Sequence, residues 1–157
     1  TYLKAARKWH YLAVVMDKFS RRIVGWKFGH RKDAELTMAA FNEAVEKRKP
    51  KRGLVFHTDR GTEYGALAFR DRLEELGHIQ SMNRPMAKMT DNAHMESFFH
   101  SMKADGVHGV TFTDNFEAAD FVREYIPFYN EERLHSSLGY MTPKEFEATL
   151  SKTKRVY

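Results

Sequence analysis

The chain has 157 residues, 42% of them hydrophobic and 13% aromatic, which is typical of one globular domain with a buried core and excludes a disordered protein. It contains no cysteine, which excludes a disulfide framework and any cysteine-containing zinc site within this sequence. Its apolar runs are shorter than the roughly eighteen residues that a membrane span needs, and no signal peptide is visible, so we expect a cytoplasmic protein with no membrane contact.

The net charge of +5 favours a polyanionic partner, and nucleic acid in particular. Basic residues recur in four clusters, and none of these lies on a strongly amphipathic basic helix of the kind that binds membranes. A solvated loop explains each cluster alone, whereas their recurrence favours nucleic acid over a membrane surface. The clusters span residues 4–8, 21–22, 47–52 and 152–155.

The N-terminal part of the chain predicts an antiparallel meander of three strands. Residues 11–16 are almost continuously apolar, as in a strand covered on both faces. Residues 17–22 form a polar turn, and residues 23–28 form the returning strand of a hairpin. A short strand before Lys8 completes the meander.

A helix and another short strand follow. Asp33 is a suitable N-cap for a helix over residues 34–49, which Pro50 ends. The apolar residues 53–56 predict a short buried strand, and Asp59 comes at its carboxyl end. This succession of strand, helix and strand favours a right-handed crossover and therefore a mixed sheet.

The remaining segments complete a mixed five-stranded sheet flanked by helices. A helix is predicted over residues 66–76 and a last short strand over residues 78–82. Residues 83–90 carry Pro85 and no periodic pattern, which is typical of a loop. Two later helices are predicted, one from an N-cap at Asp114 to residue 130 with Pro127 favouring a kink, and a short one begun by Thr142 in a tail over residues 131–157.

The segment 91–103 is the most informative part of the chain. As a helix it has an apolar stripe on one side and, on the other, a polar stripe with Glu96 and Lys103 two turns apart. An ordinary amphipathic surface helix is the better explanation of this pattern taken alone. The apolar stripe contains Met95, Phe98, Phe99 and Met102, and the polar stripe contains Asn92, Glu96, His100 and Lys103.

Two acidic side chains on different elements, Asp59 at a strand end and Glu96 on a helix, are what a divalent-metal phosphoryl-transfer site requires. Magnesium prefers oxygen ligands and takes only one or two carboxylates, which leaves positions for water and phosphate oxygens. Gly61 allows the tight turn that holds an aspartate at a strand end. A plain strand-to-loop turn is the better explanation of residues 57–61 in isolation.

Several short motifs stand in order along almost the whole chain. They are Tyr11-Leu-Ala-Val-Val-Met-Asp17, Phe19-Ser-Arg-Arg-Ile-Val-Gly-Trp26, His57-Thr-Asp-Arg-Gly-Thr-Glu-Tyr64, Gln80-Ser-Met82, Asp91-Asn-Ala93, Glu96-Ser-Phe-Phe99, Tyr129-Asn130, Arg133, His135, Leu138-Gly-Tyr140 and Pro143. This combination resembles the bacterial insertion-sequence transposases of the insertion-sequence-three group. The resemblance implies a ribonuclease-H-like α/β fold of the retroviral-integrase type, with an Asp, Asp, Glu triad on one catalytic core domain over residues 1–157.

Carried over residue by residue, the resemblance makes Asp59 the second metal-binding carboxylate and Glu96 the third, with Mg²⁺ or Mn²⁺ as cofactor. Lys103 matches the basic residue with which the family holds DNA near the site. The activity implied is cleavage of phosphodiesters at transposon ends and transfer of the freed 3′-hydroxyl into DNA, by a homo-oligomer associated with the nucleoid. Further expected site residues are Arg84 and Lys88 as DNA contacts, and Asn92 and His57 as supports of the carboxylates.

The first carboxylate of the triad is absent from this sequence. Thr1 and Tyr2 match the end of the family's Asp-x-Thr-Tyr motif, so we expect the Asp two positions before Thr1 and a chain truncated just after it. Asp17 matches a hairpin-turn residue of the family instead. Two alternatives to an active core therefore stay open: an inactive remnant that only binds DNA or itself, and a ribonuclease-H-type nuclease that cuts RNA–DNA hybrids.

Overall fold

The computed structural model describes residues 1–83 and 92–153, the last three of these by their backbone alone. No helix in this part of the chain is long and apolar enough to cross a membrane. The strands are β1 (Tyr2–Ala5), β2 (Lys8–Met16), β3 (Ile23–Gly29), β4 (Val55–Thr58) and β5 (Ile79–Met82), and the α-helices are α1 (Ala34–Arg48), α2 (Leu67–Glu75), α3 (Ala93–Gly106), α4 (Asn115–Glu131) and α5 (Pro143–Thr153).

The five predicted strands form two hydrogen-bonded ladders. β1, β2 and β3 form the predicted antiparallel meander, in which Tyr2 lies opposite Tyr11. β4 and β5 run parallel, with Val55 opposite Ile79. Within the described residues, no backbone ladder joins β4 to the meander.

A cleft of about 1280 Å³ lies between the two ladders, and we call it the central cleft. It is lined by the second half of β2 and by all of β4. The N–H of Leu12 in β2 donates to the carbonyl of Thr1, which also lines the cleft. Asp59, Tyr2 and Trp9, which later bear on function, are among the lining residues.

Helices cover both faces of the meander. On one face α1 approaches β3 closely at Gly25, where a Cβ would lie only 2.3 Å from the carbonyl oxygen of Ala40. On the other face α3 and α4 enclose the main apolar core. Its buried residues are Leu3, Leu12, Ile23, Phe98, Met102, Val122, Tyr125, Ile126 and Tyr129, so the predicted apolar stripe of α3 does face inward.

Several boundaries differ from the predicted ones for local reasons. β4 begins at Val55 because Gly53 has a left-handed φ of 89° and donates its N–H to the carbonyl of Gly77 in a turn. The prediction of a buried strand is wrong for Val55, whose side chain is 58% exposed. A 3₁₀ turn over Thr62–Gly65, which the sequence pattern does not indicate, comes before α2.

Polar side chains fix the predicted turn and helix starts. Asp33 and Asp114 each accept a hydrogen bond from a backbone N–H three residues later, as N-caps do. Asp17 accepts two backbone N–H bonds in the turn between β2 and β3, which is its expected role. α3 begins without a side-chain cap from Asn92, and α4 continues through Pro127.

The tail helix α5 is fixed to the turn between β2 and β3. Glu147 accepts a hydrogen bond from the Ser20 hydroxyl at 2.8 Å and forms a salt bridge with Arg22 at 2.7 Å. The ring of Phe146 contacts that of Phe19, with centroids 5.5 Å apart. These contacts hold α5 against the turn between β2 and β3.

Candidate active site

Asp59 directly follows β4 and is exposed at the rim of the central cleft. Its Oδ1 accepts a hydrogen bond from the Gly61 N–H at 2.9 Å, which holds the turn. The φ of Gly61 is −57°, an ordinary value, and a Cβ there would lie 2.7 Å from the carboxylate of Glu63, which would have to move. The tight turn expected at Asp59 is therefore present, and it needs no left-handed glycine.

His57 connects the carboxyl ends of the two parallel strands. Its Nδ1 lies 3.0 Å from the Ser81 hydroxyl and its Nε2 lies 2.8 Å from Oδ1 of Asn83. Because the amide oxygen can only accept, Nε2 carries the proton and Nδ1 accepts from the serine. Arg60 adds a bond from its Nε to the Asn83 carbonyl at 2.7 Å. The position of Asp59 thus depends on side chains at the end of β5.

Glu63 is a second acid beside Asp59, and sequence reasoning did not single it out. Its side chain is only 8% exposed and pairs with the ammonium group of Lys32 at 3.4 Å. Its partner Lys32 lies far away in the sequence. The only sequence signal for Glu63 is therefore its position four residues after Asp59. Burial, and then the charges of Asp59 and Glu63, raise the pKa of the neighbouring Tyr64 hydroxyl.

Thr1 lies among these charged groups. It lines the central cleft together with Asp59, Glu63 and Lys32. The ring of the next residue, Tyr2, has its centre 5.1 Å from Nζ of Lys103. The start of β1 therefore lies between the acids that follow β4 and the basic residue on α3.

The candidate residues of α3 occupy its exposed face. Glu96 is exposed in the first turn, and Lys103 is two turns further along the same face, with its Nζ 5.1 Å from the centre of the Tyr2 ring. Asn92 lines the central cleft together with Asp59, whereas Glu96 lies one turn beyond it and is not a lining residue. The start of α3 and the end of β4 thus border one cleft.

The donor chemistry of the two candidate carboxylates fits a hard divalent cation. Asp59 and Glu96 are exposed, and neither forms a salt bridge with a described residue. Residues 1–83 and 92–153 contain no group of three Asp, Glu or His side chains arranged around a common metal position. The two expected DNA contacts Arg84 and Lys88 lie outside the described ranges.

Models of the integrase core domain match residues 1–88 and 96–150 of the chain. The first match alone spans more than half of the sequence. The chain belongs to the integrase core domain family.

Transposases of insertion sequences are among the relatives of this integrase core domain. It is 38% identical to the transposase for insertion sequence element IS904 of Lactococcus lactis, over 94% of this chain and 58% of the relative. It is also 38% identical to transposase InsF for insertion sequence IS3A of Escherichia coli K12, over 94% of this chain and 51% of the relative. The chain spans about half the length of these relatives, and the resemblance to insertion-sequence transposases is confirmed.

Solved integrase structures confirm the predicted fold class. The catalytic core domain of HTLV-2 integrase in complex with magnesium superposes with a TM-score of 0.69 at 14% identity, over 93% of this chain and 90% of the other. The catalytic core domain of BIV integrase gives a TM-score of 0.67 at 15% identity, over 99% and 95%. At such identities the likeness concerns the ribonuclease-H-like fold alone.

Proposed function

We propose that this integrase core domain is the catalytic core of a DNA transposase, which cuts phosphodiesters at transposon ends and joins the freed 3′-hydroxyl to DNA. The observation that carries the proposal is the exposed carboxylate of Asp59 at the carboxyl end of β4, on the cleft that the start of α3 also borders. The 38% identity to insertion-sequence transposases along 94% of the chain supports it.

The proposed site binds Mg²⁺, or Mn²⁺, through Asp59 and Glu96. When bound, such an ion would polarise the scissile phosphate and lower the pKa of an attacking water. Asp59 supplies an oxygen oriented by the Gly61 turn, and His57 supports that turn through its two ring hydrogen bonds. Asn92 directly precedes α3 and lines the central cleft; its side chain does not cap the helix, and we propose that it supports the site from the cleft side.

A third carboxylate is proposed two positions upstream of Thr1. The register that pairs Tyr2 with Tyr11 would put this position across from Val14, which lines the same cleft as Asp59. Without it, two carboxylates alone are expected to hold magnesium weakly. The 157-residue chain by itself is therefore expected to bind DNA and to cut it poorly.

The proposed substrate is double-stranded DNA with transposon ends, held by basic residues around the cleft. Lys103 is proposed to contact a phosphate near the metal site, and Arg84 and Lys88 are proposed to add contacts from the segment before α3. We further propose that the active form is a homo-oligomer that acts on paired ends at the nucleoid.

The test is a cleavage and strand-transfer assay with a labelled transposon end. The protein used is the parent protein, which includes the residues encoded before Thr1. Asp59→Asn and Glu96→Gln should each abolish both steps, because each removes one negative ligand. The matched controls are Asp71→Asn and Glu74→Gln, which change exposed acids on α2. Full activity in either site variant would refute the metal assignment.

The same assay separates the other two functions that the sequence leaves open. Cleavage of an RNA–DNA hybrid without cleavage of duplex DNA would favour a ribonuclease-H-type nuclease. DNA binding without any cleavage by the longer protein, at any Mg²⁺ or Mn²⁺ concentration, would favour an inactive DNA-binding remnant.

A further inference from the structure

Two large aromatic side chains lie side by side on the surface of the β1–β2 ladder. Tyr2 and Trp9 are each 52% exposed, and their rings meet edge to face with centroids 4.9 Å apart. They are diagonal neighbours in the ladder, since Tyr2 lies opposite Tyr11 and Lys4 lies opposite Trp9. About half of the surface of each residue is therefore accessible to solvent.

A lysine ammonium group lies close to each of these rings. The Nζ of Lys4 lies 5.7 Å from the centre of the Trp9 ring, and the Nζ of Lys103 lies 5.1 Å from the centre of the Tyr2 ring. Lys4, Trp9, Tyr2 and Lys103 therefore form a continuous row of two adjacent aromatic rings with a lysine at each end, which we call the lysine–aromatic row. It runs from the β1–β2 hairpin to α3.

The row ends at the candidate active site. Tyr2 and Trp9 line the central cleft together with Asp59, and Lys103 contacts the Tyr2 ring from α3, the helix that carries Glu96. A ligand that lay along the row would thus lead directly towards the carboxylates.

The chemistry of the row suits one class of ligand better than others. A cross-strand aromatic pair would stabilise the hairpin, but this role alone does not require two half-exposed aromatic residues, each beside an ammonium group. Exposed aromatic rings stack on nucleobases, and ammonium groups beside them neutralise phosphates, which is how proteins bind single-stranded nucleic acid without reading its sequence.

We propose that the lysine–aromatic row binds the unpaired nucleotides of a DNA end, with bases stacked on Trp9 and Tyr2 and phosphates beside Lys4 and Lys103. The proposal rests on the proposed function for its position beside the carboxylates. It adds the form of the substrate, because a strand end must separate from its complement to lie along the row. Separation would bring the terminal phosphodiester towards Asp59.

The test measures binding of the 157-residue chain to fluorescent oligonucleotides by anisotropy, in the absence of metal. Three probes of equal length are compared: a single strand, a duplex with unpaired bases at one end, and a closed hairpin duplex with no free end. Trp9→Ala should weaken binding to the first two probes roughly tenfold, the loss expected for one stacked base, and leave the third almost unchanged. The control Phe116→Ala removes an aromatic residue that is 73% exposed and lies at the start of α4.

A second readout reports stacking directly. The chain has two tryptophans, Trp9 and Trp26, so Trp26→Phe leaves Trp9 as the only indole. Single-stranded DNA should then quench the tryptophan fluorescence with the same concentration dependence as the anisotropy change. Equal affinity of Trp9→Ala and the unchanged chain for single strands, or unquenched fluorescence in the bound state, would overturn the proposal.

These outcomes are independent of the catalytic assignment. If the row binds single strands but the Asp59→Asn variant still cuts DNA, only the metal site is refuted. If cleavage needs Asp59 and Glu96 but Trp9→Ala binds single strands as well as the unchanged chain does, only the row is refuted. Thermal unfolding of each variant shows that the compared chains are folded.

Discussion

Asn130 holds the backbone of Ile23 with both ends of its side-chain amide. Its Nδ2 donates to the Ile23 carbonyl at 2.9 Å, and its Oδ1 accepts from the Ile23 N–H at 2.8 Å. These two bonds reproduce the exchange between paired strands, at the point where the register between β2 and β3 shifts at Val15 and Met16. One side chain of α4 thereby completes the start of β3.

Asn130→Ala should lower the free energy of unfolding by about 2–3 kcal/mol. Asn130 is buried, so the variant leaves an N–H and a carbonyl of β3 without partners and without water. Asn130→Asp keeps an acceptor for the N–H but buries a carboxylate against the Ile23 carbonyl oxygen, so at neutral pH it should lose at least as much. Chemical denaturation at neutral pH measures these changes, with Asn115→Ala in the first turn of α4 as the control. A loss below about 0.5 kcal/mol, which is the size of an ordinary surface change, would contradict the role.

Gly25→Ala should destabilise the domain by about 3 kcal/mol or more. The new Cβ would lie 2.3 Å from the Ala40 carbonyl oxygen and 2.8 Å from the Ala44 nitrogen, and these backbone atoms of α1 cannot move without shifting the helix. Gly65→Ala is the matched control, because no atom lies within 4 Å of its Cβ position. Denaturant unfolding of the two variants should therefore differ strongly, and equal stabilities would show that α1 can move away from β3.

Elements fixed by local pattern could be predicted, whereas their pairing could not. The N-caps Asp33 and Asp114 and the apolar stripe of α3 depend on residues three or four positions apart, which a sequence displays directly. The parallel pairing of β4 with β5 joins residues far apart in the sequence, which no local pattern encodes. The exposure of Val55 likewise depends on what lies beside β4.

The candidate site shows the same limit. The roles of Asp59 and Glu96 stay a prediction that depends on a resemblance between motifs, and only that resemblance indicates the importance of Tyr129 and Asn130. The physical role of Asn130 depends on Ile23, 107 residues earlier in the chain, so the sequence could not give it. The buried pair of Glu63 with Lys32 was missed because an acid among so many charged residues gives no sign of burial.

Stability should fall as the pH rises above about 10, the ordinary pKa of a tyrosine. Burial raises the pKa of Tyr129 to about 12, so the folded state keeps its proton where the unfolded state has already lost it. The stabilising contribution is therefore complete below pH 10 and is lost between about pH 10 and 12, at up to about 1.4 kcal/mol per pH unit. Unfolding free energies measured across this range should fall less steeply for Tyr129→Phe. Parallel pH curves for the two chains would contradict the shift.

Ser81→Ala should lower the rate of DNA cleavage by roughly tenfold or more, because a small displacement of a metal ligand has a large effect on rate. The protein used is the parent protein with the residues encoded before Thr1. The Ser81 hydroxyl lies 3.0 Å from Nδ1 of His57, and the other ring nitrogen bonds Asn83. Loss of the hydroxyl leaves the ring with one of its two hydrogen bonds, so the support of the turn at Asp59 is weakened. The measurement is initial cleavage rate against Mg²⁺ concentration. A positioning role predicts that higher Mg²⁺ restores part of the rate, whereas a loss of folded protein would lower the rate equally at every Mg²⁺ concentration. Ser137→Ala, in an exposed turn after α4, should leave both the rate and its metal dependence unchanged.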